Sequence, residues 1–219
     1  MHLFGKKAIL VKEVCGIEFR NPLGISVSAS TDKRIRQSCK SAGFICITPP
    51  SHNILNWIVG LQEYRKLTVL SVNLKENIAV NFSLVYDFVD FVVVSPFGDS
   101  GLNAPEISDV KDLMDELVST RLGYENYTPI FFRLYPSLME AEVTELVNYA
   151  RLSGIDGIVV PDEKMMVNVG AMIQGRLPLV GMANSAEKAL SMLQNGADLV
   201  ENSVRFITFV KMLKTLEKA

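Results

Sequence analysis

Ser95 is the side chain whose position in the sequence most suggests chemistry. It follows the apolar run FVVV and opens a polar segment, SPFGDSG, at residues 95–101. A serine hydroxyl both donates and accepts hydrogen bonds, and residues in loops after buried strands often carry function. Ser95 is therefore either an active-site residue or simply the place where a strand ends, and the local sequence leaves both interpretations open.

Arg133 is a second candidate, because it lies inside the apolar run PIFFRL at residues 129–134. A charge among buried apolar residues requires a partner or a ligand. An anionic ligand would satisfy the guanidinium, and so would an acidic neighbour such as Asp162. The sequence does not choose between them.

Two Asn-Ser pairs, Asn184 with Ser185 and Asn202 with Ser203, follow apolar runs and precede helical patterns. Asn and Ser are preferred helix N-caps, and Asn184 has capping-box spacing to Glu187. The N–H groups at a helix start also bind phosphate. We interpret the pairs as phosphate-binding residues or, alternatively, as caps alone.

Other arrangements for catalysis are not indicated. His52 is the only histidine beyond the N-terminus, so a nucleophile with a histidine base is not expected. Cys15, Cys39 and Cys46 lack the CxxC spacing of metal sites and are odd in number, which argues against a disulfide framework. We expect no metal site and a reducing, cytoplasmic setting.

The overall charge indicates which partners to expect. With 22 basic and 24 acidic residues the formal net charge is -2, which gives no broad attraction to nucleic acid or to an anionic membrane. No segment has the roughly 18 consecutive apolar residues that a membrane helix needs. We expect a small-molecule or phosphate-bearing ligand, and either a homo-oligomer or a partner subunit.

Short apolar runs alternate with amphipathic stretches along the whole chain, which is typical of βαβ units around a parallel sheet. Eight strands are predicted, at 23–28, 43–48, 67–73, 90–95, 129–134, 156–160, 178–183 and 197–202. Helices are predicted at 32–42, 53–64, 76–87, 107–122, 138–152, 163–174, 185–195 and 203–217.

Eight strand-helix units predict an α/β protein with a (βα)8 TIM barrel, and a doubly wound sheet is the alternative. Residues 1–20 read as a β-hairpin with a turn at Cys15-Gly16 that covers the barrel bottom, and residues 21–219 as the barrel. We assign residues 1–219 to a single domain.

An aspartate begins three of the predicted strands, at Asp90, Asp156 and Asp198. Gly154 and Gly196 stand two residues before the last two, where a glycine in the left-handed region ends a helix. The same supersecondary unit is therefore used repeatedly. In a barrel of this kind ligands bind at the carboxyl ends of the strands, where Ser95, Arg133 and the Asn-Ser pairs would meet.

Several motifs resemble dihydroorotate dehydrogenases, FMN-dependent (βα)8 barrels of pyrimidine biosynthesis. They occur in family order along nearly the whole chain: GIEFRNPLG, STDK, VNLKEN, VVVSP followed by GL, PIFFRLYPSL, GIDGIVV and AEKALSMLQNGADLV. The resemblance implies a flavoprotein oxidoreductase. It places Ser95 at the position of the catalytic base, Lys33 near the flavin and Asn73 against the substrate.

The chain departs from the family pattern at several positions. Val92 and Phe97 replace asparagines on either side of the base, Arg133 replaces a lysine, and Ala183 with Asn184 replaces paired glycines of the seventh strand. Pro161-Asp162 stands where the family has Thr-Asn, and most long insertions that cover the family's site are missing. These replacements remove polar partners for orotate and alter the approach to a phosphate.

Two hypotheses follow. The first is a dihydroorotate dehydrogenase-like oxidoreductase with FMN held by Lys33, Arg133, Asn184, Ser185, Asn202 and Ser203, acting on dihydroorotate or on another substrate. The second is a phosphate-binding TIM barrel that is non-catalytic or has lost flavin chemistry.

Overall fold

The computed structural model describes residues 11–29, 36–37, 39–98, 105–203, 209, 211 and 213–215. Eight parallel strands close into a barrel in the order β10-β3-β4-β5-β6-β7-β8-β9. The strands are β3 (Leu23–Ser28), β4 (Phe44–Thr48), β5 (Val69–Leu74), β6 (Phe91–Val94), β7 (Ile130–Arg133), β8 (Gly157–Val160), β9 (Leu179–Ala183) and β10 (Leu199–Asn202). The TIM barrel is confirmed, and the doubly wound sheet is excluded because the sheet has no edges.

Helices fill the connections between strands. They are α1 (Ile54–Arg65), α2 (Ile78–Val85), α3 (Ile107–Arg121), α4 (Glu140–Ser153), α5 (Glu163–Ile173) and α6 (Ala186–Gln194), with a 3-10 turn at Tyr86–Phe88 after α2. These agree with the predicted helices to within two residues at each end. The helices predicted at 32–42 and 203–217 fall partly outside the described residues.

The hairpin in front of the barrel is also confirmed. Its strands, β1 (Lys12–Val14) and β2 (Ile17–Phe19), pair antiparallel. Cys15 and Gly16 both have positive φ, 52° and 75°, as a type I′ turn requires. Phe19 packs edge-on against the rings of Phe44 and Phe91, so the hairpin covers the bottom of the barrel interior. The assignment of all 219 residues to one domain stays a prediction.

Alternation along the strands divides the core into two layers. The inner layer fills the barrel and contains Phe44, Cys46, Phe91, Val93, Phe131, Val159, Val180 and Leu199. The outer layer lies between strands and helices, and on β6 it contains Val92 and Val94. Because side chains alternate along a strand, Ser95 continues the inward row of Phe91 and Val93.

The three strand-starting aspartates play one structural role. Each accepts a hydrogen bond through its carboxylate from the N–H of a residue in the preceding strand, and each donates its own N–H to that residue's carbonyl. The pairs are Asp90 with Leu70, Asp156 with Ile130 and Asp198 with Leu179. Gly154 and Gly196 both have φ of 99°, as predicted for the residues that end the preceding helices. These carboxylates thus join strands at the end of the barrel opposite the candidate site.

Within the described part of the chain, no helix combines the length and apolar character needed to cross a membrane.

Candidate functional site at the carboxyl ends of the barrel strands

A cavity of about 320 Å³ lies at the carboxyl ends of the strands. It is called the mouth cavity below and is lined by Ser26, Asn73, Lys75, Arg133, Pro161, Met182, Ala183, Asn184, Lys188, Glu201 and Ser203. Four residues predicted for the site, Asn73, Arg133, Asn184 and Ser203, therefore share one cavity. Lys75, Lys188 and Glu201 are further charged residues of the cavity that the sequence interpretation missed.

Ser95 reaches this cavity through Asn73. The Ser95 hydroxyl donates a 2.6 Å hydrogen bond to Asn73 Oδ1, and the two residues are only 4% and 1% exposed. Asn73 is among the described residues that line the mouth cavity, whereas Ser95 is not. The two residues that the family resemblance assigns to base and substrate contact thus contact each other directly.

Arg133 is paired with Glu201 and not with Asp162. Its Nη2 lies 2.8 Å and 2.6 Å from the two carboxylate oxygens of Glu201, whose side chain is 1% exposed. Asp162 instead caps α5, because its carboxylate accepts from the N–H of Met165 at 2.9 Å. The suggested Asp162 partner is therefore wrong. A signal for Glu201 was present, since it is a charge inside the apolar strand ADLVEN.

The start of α6 lies beside the cavity, and its cap differs from the predicted one. Ser185, not Asn184, is the N-cap, with its hydroxyl 3.1 Å from the N–H of Lys188. The pKa of Glu187 is lowered, first by a hydrogen bond from its own backbone N–H and then by one from Ser185. Two donors at the helix start are thus satisfied by the chain's own side chains, and Glu187 is exposed.

The remaining predicted cofactor residues are placed differently. Asn202 ends β10 rather than beginning a helix, is 1% exposed, and donates to the carbonyl of Gly24 at 2.8 Å. Ser203 is exposed and lines the cavity. Lys33 lies outside the described residues.

Val92 and Phe97 do not face the cavity. Val92 belongs to the outer layer, and Phe97 packs against Phe132 and Tyr135 with ring centroids 6.4 Å and 6.3 Å away. Neither residue offers the cavity a polar contact, and the loss of polar partners for orotate at these two positions stays a prediction. Polarity inside the cavity comes from Asn73, Arg133 and Glu201 instead.

The thiols are poor nucleophiles at neutral pH. Burial raises the pKa of Cys46, inside the barrel near Glu201, far above its ordinary value. Burial likewise raises the pKa of Cys15 to about 11, aided by the nearby Asp156 carboxylate. Both stay protonated under physiological conditions, so neither acts as a base or a thiolate there.

The donor set of the cavity fits a polar ring that carries a phosphate, which is the chemistry of FMN. Lys75 and Lys188 supply positive charge beyond the strand ends, and Lys188 lies in the first turn of α6 beside Asn184. Helix starts and lysines favour phosphate. Asn73 and the Arg133–Glu201 pair offer donors and acceptors to a polar ring.

Sequence comparison finds relatives of a single kind. No protein-family model matches the chain. The chain is 24% identical over 119 residues to a dihydroorotate dehydrogenase (quinone) of Cereibacter sphaeroides, covering 41% of this chain and 34% of that enzyme. With the enzyme of the same description from Christiangramia forsetii the identity is 21% over 276 aligned positions, covering 92% and 81%. With that of Nautilia profundicola it is 27% over 147, covering 52% and 39%.

Solved structures show the same fold. The chain matches DHODH of Eimeria tenella in complex with ferulenol with a TM-score of 0.74 and 12% identity, covering all of this chain and 85% of the other. The ligand-free form gives a TM-score of 0.76 at 13% identity, covering all of this chain and 88% of the other. Identity this low establishes the fold alone, and the match to the Cereibacter enzyme spans only about a third of its length, 34%. The matching curated sequences nevertheless all carry one description, so the motif resemblance is confirmed and the chain is a divergent relative of the dihydroorotate dehydrogenases.

Proposed function

We propose that the chain is a dihydroorotate dehydrogenase-like oxidoreductase that binds FMN in the mouth cavity and acts on a small molecule, either dihydroorotate or another substrate. One observation carries this proposal. Asn73, Arg133 and Asn184, which the sequence predicts as substrate and flavin residues, line a single cavity, and Ser95 bonds to the first of them. The names of the sequence relatives support the same class of reaction.

Each end of the flavin has residues suited to it. Asn184, Ser185 and Lys188, with Ser203 nearby, would hold the phosphate, since they combine a helix start with a positive charge. Asn73 and Arg133 would contact the ring system. Lys33 keeps the flavin role that the resemblance gives it. Asn202, predicted as a phosphate residue from its Asn-Ser pair, would support the site indirectly by holding β10 to β3. FMN, when bound, would take up a hydride from the substrate.

Ser95 would relay the proton that leaves the substrate: its Oγ accepts that proton while its own hydroxyl proton is released to solvent water in the mouth cavity. Its own hydroxyl hydrogen is directed at Asn73 Oδ1, so the lone pairs of Ser95 Oγ face away from Asn73. A hydroxyl held in this way is oriented to accept a proton, although its low exposure requires the substrate to approach closely. Asn73 is then a positioning residue for Ser95 as well as a substrate contact.

A second candidate function is favoured by the Arg133–Glu201 pair. Glu201 neutralises the cation that would stabilise negative charge on a reduced flavin ring. A barrel with this pair can bind a phosphate-bearing ligand at Lys188 and carry out no redox chemistry. The expected oligomer or partner subunit and the cytoplasmic setting remain predictions under either function.

An anaerobic reduction assay separates the two candidates. FMN-loaded protein is mixed with dihydroorotate or with a related dihydropyrimidine that lacks the carboxylate, and the absorbance of oxidised flavin is followed. For the oxidoreductase, we expect the flavin to bleach in the wild type. The rate of bleaching should be at least a hundredfold slower in Ser95→Ala and unchanged in the matched surface variant Ser83→Ala. Flavin that binds but never bleaches, with dihydroorotate or with related dihydropyrimidines, supports the non-redox barrel.

A further inference from the structure

Glu201 places a carboxylate inside the mouth cavity where the rest of the inward row is apolar. Leu199, two residues earlier on β10, belongs to the inner core layer, so Glu201 points into the barrel as well. Its side chain is 1% exposed, and both of its oxygens lie within 2.8 Å of Arg133 Nη2. The carboxylate thus engages Nη2 of the only arginine among the residues that line the described cavity.

The cavity is consequently divided by charge. Its floor, defined as the strand residues Asn73, Arg133 and Glu201, has no net charge because the ion pair cancels. Its rim, defined as Asn184 and Lys188 beyond the strand ends, carries the positive charge of Lys188. An anionic group is therefore favoured at the rim and not at the floor.

We propose that Glu201 determines the class of ligand: it excludes carboxylates from the floor and selects a neutral ring that donates hydrogen bonds. A ligand carboxylate that approaches Arg133 meets the Glu201 carboxylate, and like charges in a buried site repel strongly. A ring N–H instead finds a charge-assisted acceptor in Glu201. This inference rests on the proposed function only in placing the ligand in the mouth cavity.

Orotate and uracil provide a matched pair of probes, because they share the pyrimidinedione ring and differ in one carboxylate. Their binding to the purified protein is measured by titration calorimetry without added flavin. The wild type is expected to bind uracil more tightly than orotate. In Glu201→Gln, orotate binding relative to uracil should improve at least about tenfold, because the repulsion between the Glu201 and orotate carboxylates is removed. The control Glu116→Gln removes the same charge from an exposed site on α3 and should leave the preference unchanged.

A double variant, Arg133→Met with Glu201→Met, keeps the test informative if Glu201→Gln does not fold. With both charges removed, the preference for uracil should fall towards equal binding. If the wild type binds no orotate, detectable orotate binding by Glu201→Gln counts as the expected improvement. The proposal is overturned if the wild type binds orotate at least as tightly as uracil, if both Glu201 variants keep the wild-type preference, or if none of the proteins binds either pyrimidine. Because no flavin is added, the outcome does not depend on whether the protein binds FMN. Failure of the proposed function and failure of this inference can therefore be told apart.

Discussion

Arg133 and Glu201 join two strands that are not neighbours in the barrel. Arg133 ends β7 and Glu201 lies on β10, with β8 and β9 between them, yet one guanidinium nitrogen bonds both carboxylate oxygens at 2.8 Å and 2.6 Å. The pair sits on the floor of the mouth cavity and sets the charge there. It therefore connects the stability of the barrel with what the cavity can bind.

Removing one member of this pair should destabilise the protein far more than removing both. Arg133→Met leaves a carboxylate that is 1% exposed without its guanidinium, which should lower the free energy of unfolding by about 3 to 5 kcal/mol. The double variant Arg133→Met with Glu201→Met should stay within about 2 kcal/mol of the wild type. Urea denaturation measures both. A single variant as stable as the double variant would contradict the role of the pair.

The strand-starting aspartates should differ in importance according to their partners. Asp156 accepts from the N–H of Ile130 at 2.8 Å and also pairs with the buried Arg121 and with Tyr127. Asp156→Asn should therefore cost about 3 kcal/mol, since it leaves a buried cation uncompensated.

Asp198→Asn is the matched control for that change. Asp198 makes the same backbone contact, to Leu179 at 3.0 Å, but its cation is Lys12, whose side chain is 44% exposed. Its loss should cost about 1 kcal/mol or less. Equal losses in the two variants, measured by chemical denaturation, would show that the ion pair of Asp156 contributes nothing beyond the shared backbone contact.

The fold was predictable from the sequence because its signals are local. Apolar runs, the residues Asp90, Asp156 and Asp198, and the glycines before two of them all lie within a few positions of the element they define. The turn at Cys15-Gly16 is equally local, and the structure confirms it.

The candidate site was less predictable because its contacts are long-range. Arg133 and Glu201 are 68 residues apart in the chain, and nothing near Arg133 indicates that partner. Asp162 is closer to Arg133 in the sequence, but its carboxylate accepts a hydrogen bond from the start of α5. The outward direction of Val92 was available from strand alternation, since Val93 and Ser95 share the opposite face.

Stability should fall at alkaline pH, with a contribution from Cys46. Burial raises the pKa of this thiol well above its ordinary value of 9.0, so the folded state keeps a proton that the unfolded state releases. The stabilisation is complete below pH 9 and is lost as the pH rises above that value, by up to about 1.4 kcal/mol per pH unit.

Denaturation at pH 8 and pH 10 of Cys46→Ala tests this. The variant should lose less stability than the wild type between the two pH values. Val93→Ala, a truncation in the same inner layer at a side chain that is 1% exposed, should keep the wild-type slope. If Cys46→Ala and the wild type lose the same amount, the thiol does not titrate as described.

Binding of FMN in the mouth cavity can be measured by direct titration. FMN fluorescence is followed as the wild type, Lys188→Ala or Lys211→Ala is added in increasing amounts. Lys211→Ala is the control, a lysine substitution away from the cavity. We expect saturable quenching with one FMN per chain. The affinity for FMN should be about tenfold or more weaker in Lys188→Ala and unchanged in Lys211→Ala. Fluorescence that stays constant at all protein concentrations, or binding that Lys188→Ala leaves untouched, would contradict FMN binding in the mouth cavity.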